Sequence, residues 1–154
     1  MTARPSILFV CLGNICRSPM AEGAMRALAE REGVEVHLDS AGTGDWHVGN
    51  PPDPRAIAEA RSNGVDIAHF RARQVTKEDF SLFTHVLALD AQNLRDLERL
   101  RPGDATARLA LLLDAVPGRE GQAVADPYHG GPEGFARTWS DVSAAAQALL
   151  ERFR

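Results

Sequence analysis

Ile7-Leu8-Phe9-Val10-Cys11-Leu12-Gly13-Asn14-Ile15-Cys16-Arg17-Ser18-Pro19 is the stretch whose reading decides the fold. Its first four residues form an apolar run short enough for a strand buried on both faces, and an amphipathic segment of helical spacing opens at Ser18-Pro19. The residues between them therefore join a strand end to a helix start. Such a junction gathers unpaired backbone N–H groups and the positive end of a helix dipole in one small volume, which favours a bound dianion. Gly13 has the backbone freedom to let the amides curl inward. Arg17 adds a planar fork of donors that can grip two phosphate oxygens at once. Cys11 lies where the amides converge, so the local positive potential favours thiolate over thiol, and a thiolate beneath a phosphate is a nucleophile. Ser18 can donate its hydroxyl to that sulfur while capping the helix behind it. Spacing alone also fits a small buried cysteine and a solvated arginine; Gly13, Ser18 and Pro19 together favour the phosphate loop.

Outward from this loop, residues 5–10 read as the first strand. Met20, Ala21, Ala24, Met25 and Leu28 form one helical stripe with Pro19 at the first helical position and Gly33 ending the run, so this helix packs on a sheet and fixes the loop at its head. Val34 to Leu38 reads as a second strand, with Asp39 to Thr43 as its closing turn. Residues 41–53 are rich in Gly and Pro and carry no apolar period; a long loop at a strand's C-terminal end is where an open α/β sheet places its ligands. Asp53-Pro54 opens a helix that Asn63-Gly64 closes, and Thr76-Lys77-Glu78-Asp79 resembles a capping box for a short helix reaching Leu82. Thr84 to Leu89 reads as the third strand, Asp90 caps a helix with Leu94 and Leu97 inward, and Leu109 to Leu113 is the last strand. Residues 116–125 are loop. Phe135, Trp139, Val142, Ala146, Leu149 and Phe153 recur at three or four, enough for a final helix that covers one sheet face. Short strands alternating with helices predict an α/β fold: a single-domain open sheet of four parallel strands with helices on both faces, Rossmann-like.

A chain of 154 residues is one domain by size, residues 1–154, and its 44% hydrophobic and 25% charged residues are those of a globular protein. The net charge of -4 and the lack of a basic run argue against nucleic acid and membrane surfaces as partners. No apolar run is long enough to span a bilayer, and Met1 to Ser6 lacks the apolar core of a secretion signal, which places the chain in the cytoplasm. Its two cysteines, Cys11 and Cys16, share one loop, as suits a reducing compartment and a reactive thiol. Neither a second cysteine pair nor a His-x-x-x-His spacing is present, so neither a metal nor a cofactor is expected.

Cys11 to Pro19, Ser40-Ala41-Gly42-Thr43, Gly49-Asn50-Pro51-Pro52-Asp53, Arg73-Gln74-Val75-Thr76, Asn93-Leu94-Arg95-Asp96 and Asp126-Pro127-Tyr128 occur in this order across nearly the whole chain. In these segments the sequence resembles the low-molecular-weight protein tyrosine phosphatases. The resemblance implies a strand order of 2-1-3-4. It also implies metal-independent hydrolysis of phosphotyrosine in protein substrates, and of small aryl phosphates, through a phosphocysteine intermediate; a monomer is expected. Cys11 would be the nucleophile, and Arg17 with the loop residues Leu12, Gly13, Asn14, Ile15, Cys16 and Ser18 would bind the phosphate. Asn14, Ser18, Ser40 and His69 would form a supporting network in which His69 braces Asn14 by a hydrogen bond. Asp126 would serve as general acid and then general base, and Trp46 and Tyr128 would wall the aryl slot.

Taken without the resemblance, the same residues have plainer readings. Asp126 before Pro127 starts a turn, Trp46 is a packing residue and His69 an ordinary surface or core histidine. Family members often carry two adjacent tyrosines where this chain has Tyr128-His129, which puts regulation by tyrosine phosphorylation at that second position in doubt. Cys16 is placed to form a disulfide with Cys11 under oxidants. Arsenate reductases on this fold that couple to thioredoxin need further cysteines, and none follows Cys16; protein-arginine phosphatases carry threonine where Ile15 stands. A phosphate-binding module without turnover predicts a missing nucleophile or acid, and this chain has candidates for both.

Overall fold

Ser6–Cys11 (β1) is buried at every residue because it runs through the middle of the sheet, with helices on both sides. The computed structural model describes residues 4–154; the expectations for Met1 to Ser6, and for a domain beginning at residue 1, extend in part over residues outside it. β1 pairs in parallel with His37–Gly42 (β2) on one edge and with His85–Ala88 (β3) on the other, and β3 pairs with Arg108–Leu111 (β4). The order β2-β1-β3-β4 is the one the resemblance implied.

Alternation along β1 sorts the helices. Ile7, Phe9 and Cys11 point into a core shared with Arg17–Glu32 (α1), Pro54–Ser62 (α2) and Pro132–Phe153 (α5). Leu8 and Val10 point to the other face, toward Asp79–Leu82 (α3) and Ala91–Leu100 (α4). Ile7, Leu8 and Phe9 are essentially fully buried, and each contributes about 1.5–3 kcal/mol by leaving water. The strand that presents Cys11 is thereby fixed from both sides. Among the described residues no helix is long and apolar enough to cross a membrane.

Several boundaries differ from the sequence reading. β1 spans 6–11 rather than 5–10. β2 lies at His37–Gly42, not Val34 to Leu38: Ser40, Ala41 and Gly42, which look like turn residues, pair in register with Phe9, Val10 and Cys11. Glycine is required at the last of them, since a Cβ on Gly42 would sit 2.8 Å from the Leu12 carbonyl oxygen. Val34 instead closes the end of α1, its N–H bonded to the Ala29 carbonyl across left-handed Gly33. The apolar run 109–113 divides between β4 and a 3-10 turn, Leu112–Ala115, where the Asp114 carboxylate accepts the N–H groups of Leu111 and Gly121. α1 begins at Arg17 with Cys16 as its N-cap and no side-chain cap bond, so Pro19 is the third helical residue and Ser18 lies inside the helix rather than capping it. The caps expected of Asp53 and Asp90 are present, accepting the N–H groups of Arg55 and Asn93.

Candidate active site

Past the end of β1 the chain wraps over β2, with the N–H groups of Thr43 and Gly44 bonded to the carbonyls of Cys11 and Leu12. The strained residue of the loop is Asn14, with φ of 58°, the one non-glycine residue at positive φ among those described. Gly13 does not take positive φ, so the curl expected of it belongs to Asn14. A left-handed asparagine costs on the order of 1–2 kcal/mol, and its side chain supplies the compensation. Its Nδ2 donates to Ser18 Oγ at 2.7 Å and to Ser40 Oγ at 3.0 Å, and its Oδ1 accepts the Arg73 N–H at 3.0 Å.

These bonds give the network a direction. Ser40 Oγ donates to Glu22 Oε1 at 2.8 Å, so it receives Asn14 with a lone pair. Ser18 Oγ also receives from Asn14, which leaves its proton for Cys11 Sγ at 3.0 Å. The Asn14 N–H points at the same sulfur from 3.3 Å. The sulfur is therefore an acceptor twice over, held from two sides by donors of its own loop and helix. His69 takes no part, contrary to the expectation: it is exposed and stands edge-on to Phe70, ring centroids 4.8 Å apart. The turn that bonds the Phe70 N–H to the Ile67 carbonyl leaves the imidazole at the surface, and the Arg73 N–H occupies the Asn14 oxygen instead.

Arg17 is 2% exposed. Its Nη1 donates to Asp90 Oδ2 at 2.7 Å and to the Val124 carbonyl at 3.0 Å, while Nη2 lies 3.6 Å from Asp126 Oδ2. Burial works against the guanidinium charge, but Cys11, Asp90 and Asp126 outweigh it and hold its pKa above the ordinary value. Asp90 uses one oxygen as helix cap and the other to aim the arginine. Substituting Asp90 with asparagine, which keeps the cap but removes the charge, is expected to lower kcat/KM on p-nitrophenyl phosphate about tenfold, short of the roughly 10²-fold that a 1 Å misplacement costs. Steady-state kinetics check this; an unchanged value would remove Asp90 from the site.

Asp126 reaches the cavity because the Val124 N–H bonds to the Leu89 carbonyl, docking its loop at the end of β3. Its Oδ1 accepts the Tyr128 N–H at 3.1 Å, so the plain reading as a turn starter also holds. Cys11, Ile15, Arg17, Trp46, Asp126 and Tyr128 line one cavity of about 230 Å³, along with Leu12, Gly13 and Cys16. Trp46 is 68% exposed, its indole folded onto Gly44, where a Cβ would fall 1.9 Å from the ring. Cys16 is buried; burial first, then Asp53 and Cys11, push its thiol well above the usual range, so it stays protonated.

Sequence reasoning missed Glu22, Asp90, Arg73 and His47. Burial pushes the Glu22 carboxyl up, against hydrogen bonds from Arg26 and Ser40 that favour its ionised form. Arg73 presents its backbone N–H to Asn14 while its guanidinium bridges Asp39 and Asp79. His47 lines the cavity with its ring against Gly13, and so does His129, edge-on to Tyr128. One signal was available: Asp90 follows β3, the neighbour of β1, at the carboxyl end of the strands, where ligands of open α/β sheets bind.

Known proteins are similar to this chain over nearly its full length. A family model described as low molecular weight phosphotyrosine protein phosphatase matches residues 6–154. The low molecular weight phosphotyrosine protein phosphatase of Schizosaccharomyces pombe is 40% identical over 154 residues, covering 98% of each chain. The crystal structure of YfkJ from Bacillus subtilis superposes with a TM-score of 0.90 at 37% identity, covering 98% of this chain and 95% of that one. The drosophila arginine phosphatase structure superposes with a TM-score of 0.90 at 29% identity, covering 96% of this chain and 97% of that one. With the Cys11 to Ser18 loop, the buried Arg17 and the Asp-Pro-Tyr loop around one cavity, and with these matches over nearly the whole chain, the chain belongs to the low molecular weight phosphotyrosine protein phosphatase family.

Proposed function

We propose that this chain hydrolyses phosphotyrosine in protein substrates, and small aryl phosphates, by a metal-independent two-step transfer through Cys11. The observation that carries the reading is Cys11 Sγ in the cavity, held by donors from Ser18 and Asn14, with the Arg17 guanidinium and the Asp126 carboxyl lining the same space. In the first step Sγ attacks phosphorus; the S–P bond forms, the P–O bond to the aryl group breaks, and Asp126 gives its proton to the departing oxygen. Water then attacks the phosphocysteine and loses a proton to Asp126, releasing inorganic phosphate and the thiolate. Arg17 and the loop amides carry the charge on the transferring oxygens in both steps. Trp46 and Tyr128 flank the aryl ring.

Ile15 places an apolar branched side chain in the cavity, which supports tyrosine over arginine as the residue dephosphorylated. Phosphotyrosine, phosphoserine and phosphoarginine peptides of one sequence, assayed with excess EDTA, test this. Release of phosphate from the tyrosine peptide alone is expected; faster release from the arginine peptide, or dependence on added divalent ion, would overturn it. The proposed setting is a cytoplasmic monomer, one domain over residues 1–154, with no nucleic-acid or membrane partner.

The state of Cys16 supports a protective disulfide with Cys11: a buried thiol that stays protonated does not compete as nucleophile yet lies in the same loop as the reactive sulfur. Brief treatment with iodoacetate is expected to put one carboxymethyl group on Cys11 and none on Cys16, by peptide mass mapping; equal labelling of both would contradict the difference in state. Peroxide inactivation that dithiothreitol fails to reverse would remove the disulfide.

A further inference from the structure

We propose that Arg55 is a positioning residue for the Asp126 loop, tying the proton-donating loop to the phosphate loop through Asp53; this rests on the role of Asp126 given above. Arg55 is the second residue of α2, and its fork is held at two points by Asp53, Nε to Oδ1 at 3.0 Å and Nη2 to Oδ2 at 2.9 Å. Those bonds hold the Asp53 carboxyl below the usual carboxylate range. Asp53 is itself anchored to the phosphate loop, its N–H bonded to the Ile15 carbonyl at 2.8 Å. The guanidinium plane is thus fixed relative to the site that holds phosphorus.

The remaining surfaces of that plane grip the other loop. The Arg55 guanidinium carbon lies 5.4 Å from the centroid of the Tyr128 ring and 4.7 Å from that of Phe135, and Nη1 donates to the Gly130 carbonyl at 3.4 Å. Among the described residues, the Gly130 contact is the one hydrogen bond from residues 127–131 to anything beyond their own loop and α5. Tyr128 in turn donates its N–H to Asp126 Oδ1. A displacement of Tyr128 therefore displaces the carboxyl group that must meet the leaving oxygen. Upstream of Asp126 the loop is pinned by the Val124–Leu89 bond, so losing Arg55 frees one end only. Arg55 is not among the residues lining the cavity, so it acts through the loop it holds, which carries Asp126.

The test is Arg55→Leu, made both in the native chain and with Asp126→Ala, and assayed on two substrates. Phenyl phosphate has a basic leaving oxygen that needs the donated proton; p-nitrophenyl phosphate has a weakly basic one that hardly does. In the native chain kcat/KM is expected to fall about tenfold for phenyl phosphate and less than about twofold for p-nitrophenyl phosphate. In the Asp126→Ala background Arg55→Leu should cost nothing further, because the two residues act as one unit. Inhibition by inorganic phosphate should stay within about twofold of native, since the phosphate loop keeps its own bonds. Equal losses on the two substrates, the same loss without Asp126, or weakened phosphate inhibition would each overturn the proposal. If Arg55→Leu does not fold, Arg55→Lys keeps the charge and loses the fork, and a loss of about threefold on phenyl phosphate alone is expected, with no selective loss counting against the proposal. An Asp126→Ala chain that hydrolyses phenyl phosphate at the native rate would sink the assignment of Asp126 itself, whatever Arg55 does.

Discussion

Cys11→Ser is expected to lower the hydrolysis of p-nitrophenyl phosphate by about 10⁴-fold or more while changing the affinity for inorganic phosphate by less than about threefold. Serine fits the site and can keep the contacts with Ser18 Oγ and the Asn14 N–H. Its hydroxyl does not ionise near neutral pH, and its two hydrogen-bond partners cannot take the proton: Ser18 already directs its own proton inward and the Asn14 N–H is a donor. The variant therefore loses the nucleophile and keeps the anion site. Calorimetric titration with inorganic phosphate reads the second half of the prediction. Substantial residual turnover would mean that another group attacks phosphorus.

Asp126→Ala is expected to slow kcat/KM for phenyl phosphate by roughly 10²- to 10⁴-fold, with p-nitrophenyl phosphate losing less. The carboxyl group is 3.6 Å from Arg17 Nη2 and its side chain is 45% exposed, so the pair adds little to stability and the variant should fold as the native chain does. Parallel losses on the two substrates would argue for a structural role, because a missing proton donor hurts the more basic leaving group more.

The architecture was legible because its boundaries are written locally. The apolar run 7–10, Gly33 after the α1 stripe, Asp53-Pro54 and the Asp90 cap are decided by residues within a turn or two of each other, and all stand close to where the sequence puts them. The strand at 37–42 was not legible in the same way. Ser40, Ala41 and Gly42 have weak strand preference, and what makes them a strand is pairing with Phe9, Val10 and Cys11, 31 residues earlier in the chain, information that no local window holds.

The site divides along the same line. The phosphate loop and the Asp-Pro-Tyr segment announce themselves by type and spacing, whereas Glu22, Arg73 and Asp90 read as ordinary charges of helix faces and turns. They matter because folding buries Glu22 behind Ser40, turns the Arg73 N–H onto Asn14 and brings Asp90 to Arg17 across the ends of two neighbouring strands. His69 shows the converse: a residue type suited to bracing the loop, held at the surface by a turn that its own neighbours form. Asn14 took the strained conformation that glycine would be expected to take because its side chain finds three partners there and a glycine would find none.

Acid quenching during turnover of p-nitrophenyl phosphate, followed by mass mapping of the peptides, tests the central claim most directly. A single phosphoryl group on Cys11 is the result this mechanism requires. Phosphate on any other residue, or an unmodified Cys11 throughout the steady state of an Asp126→Ala chain supplied with an activated aryl phosphate, would contradict it.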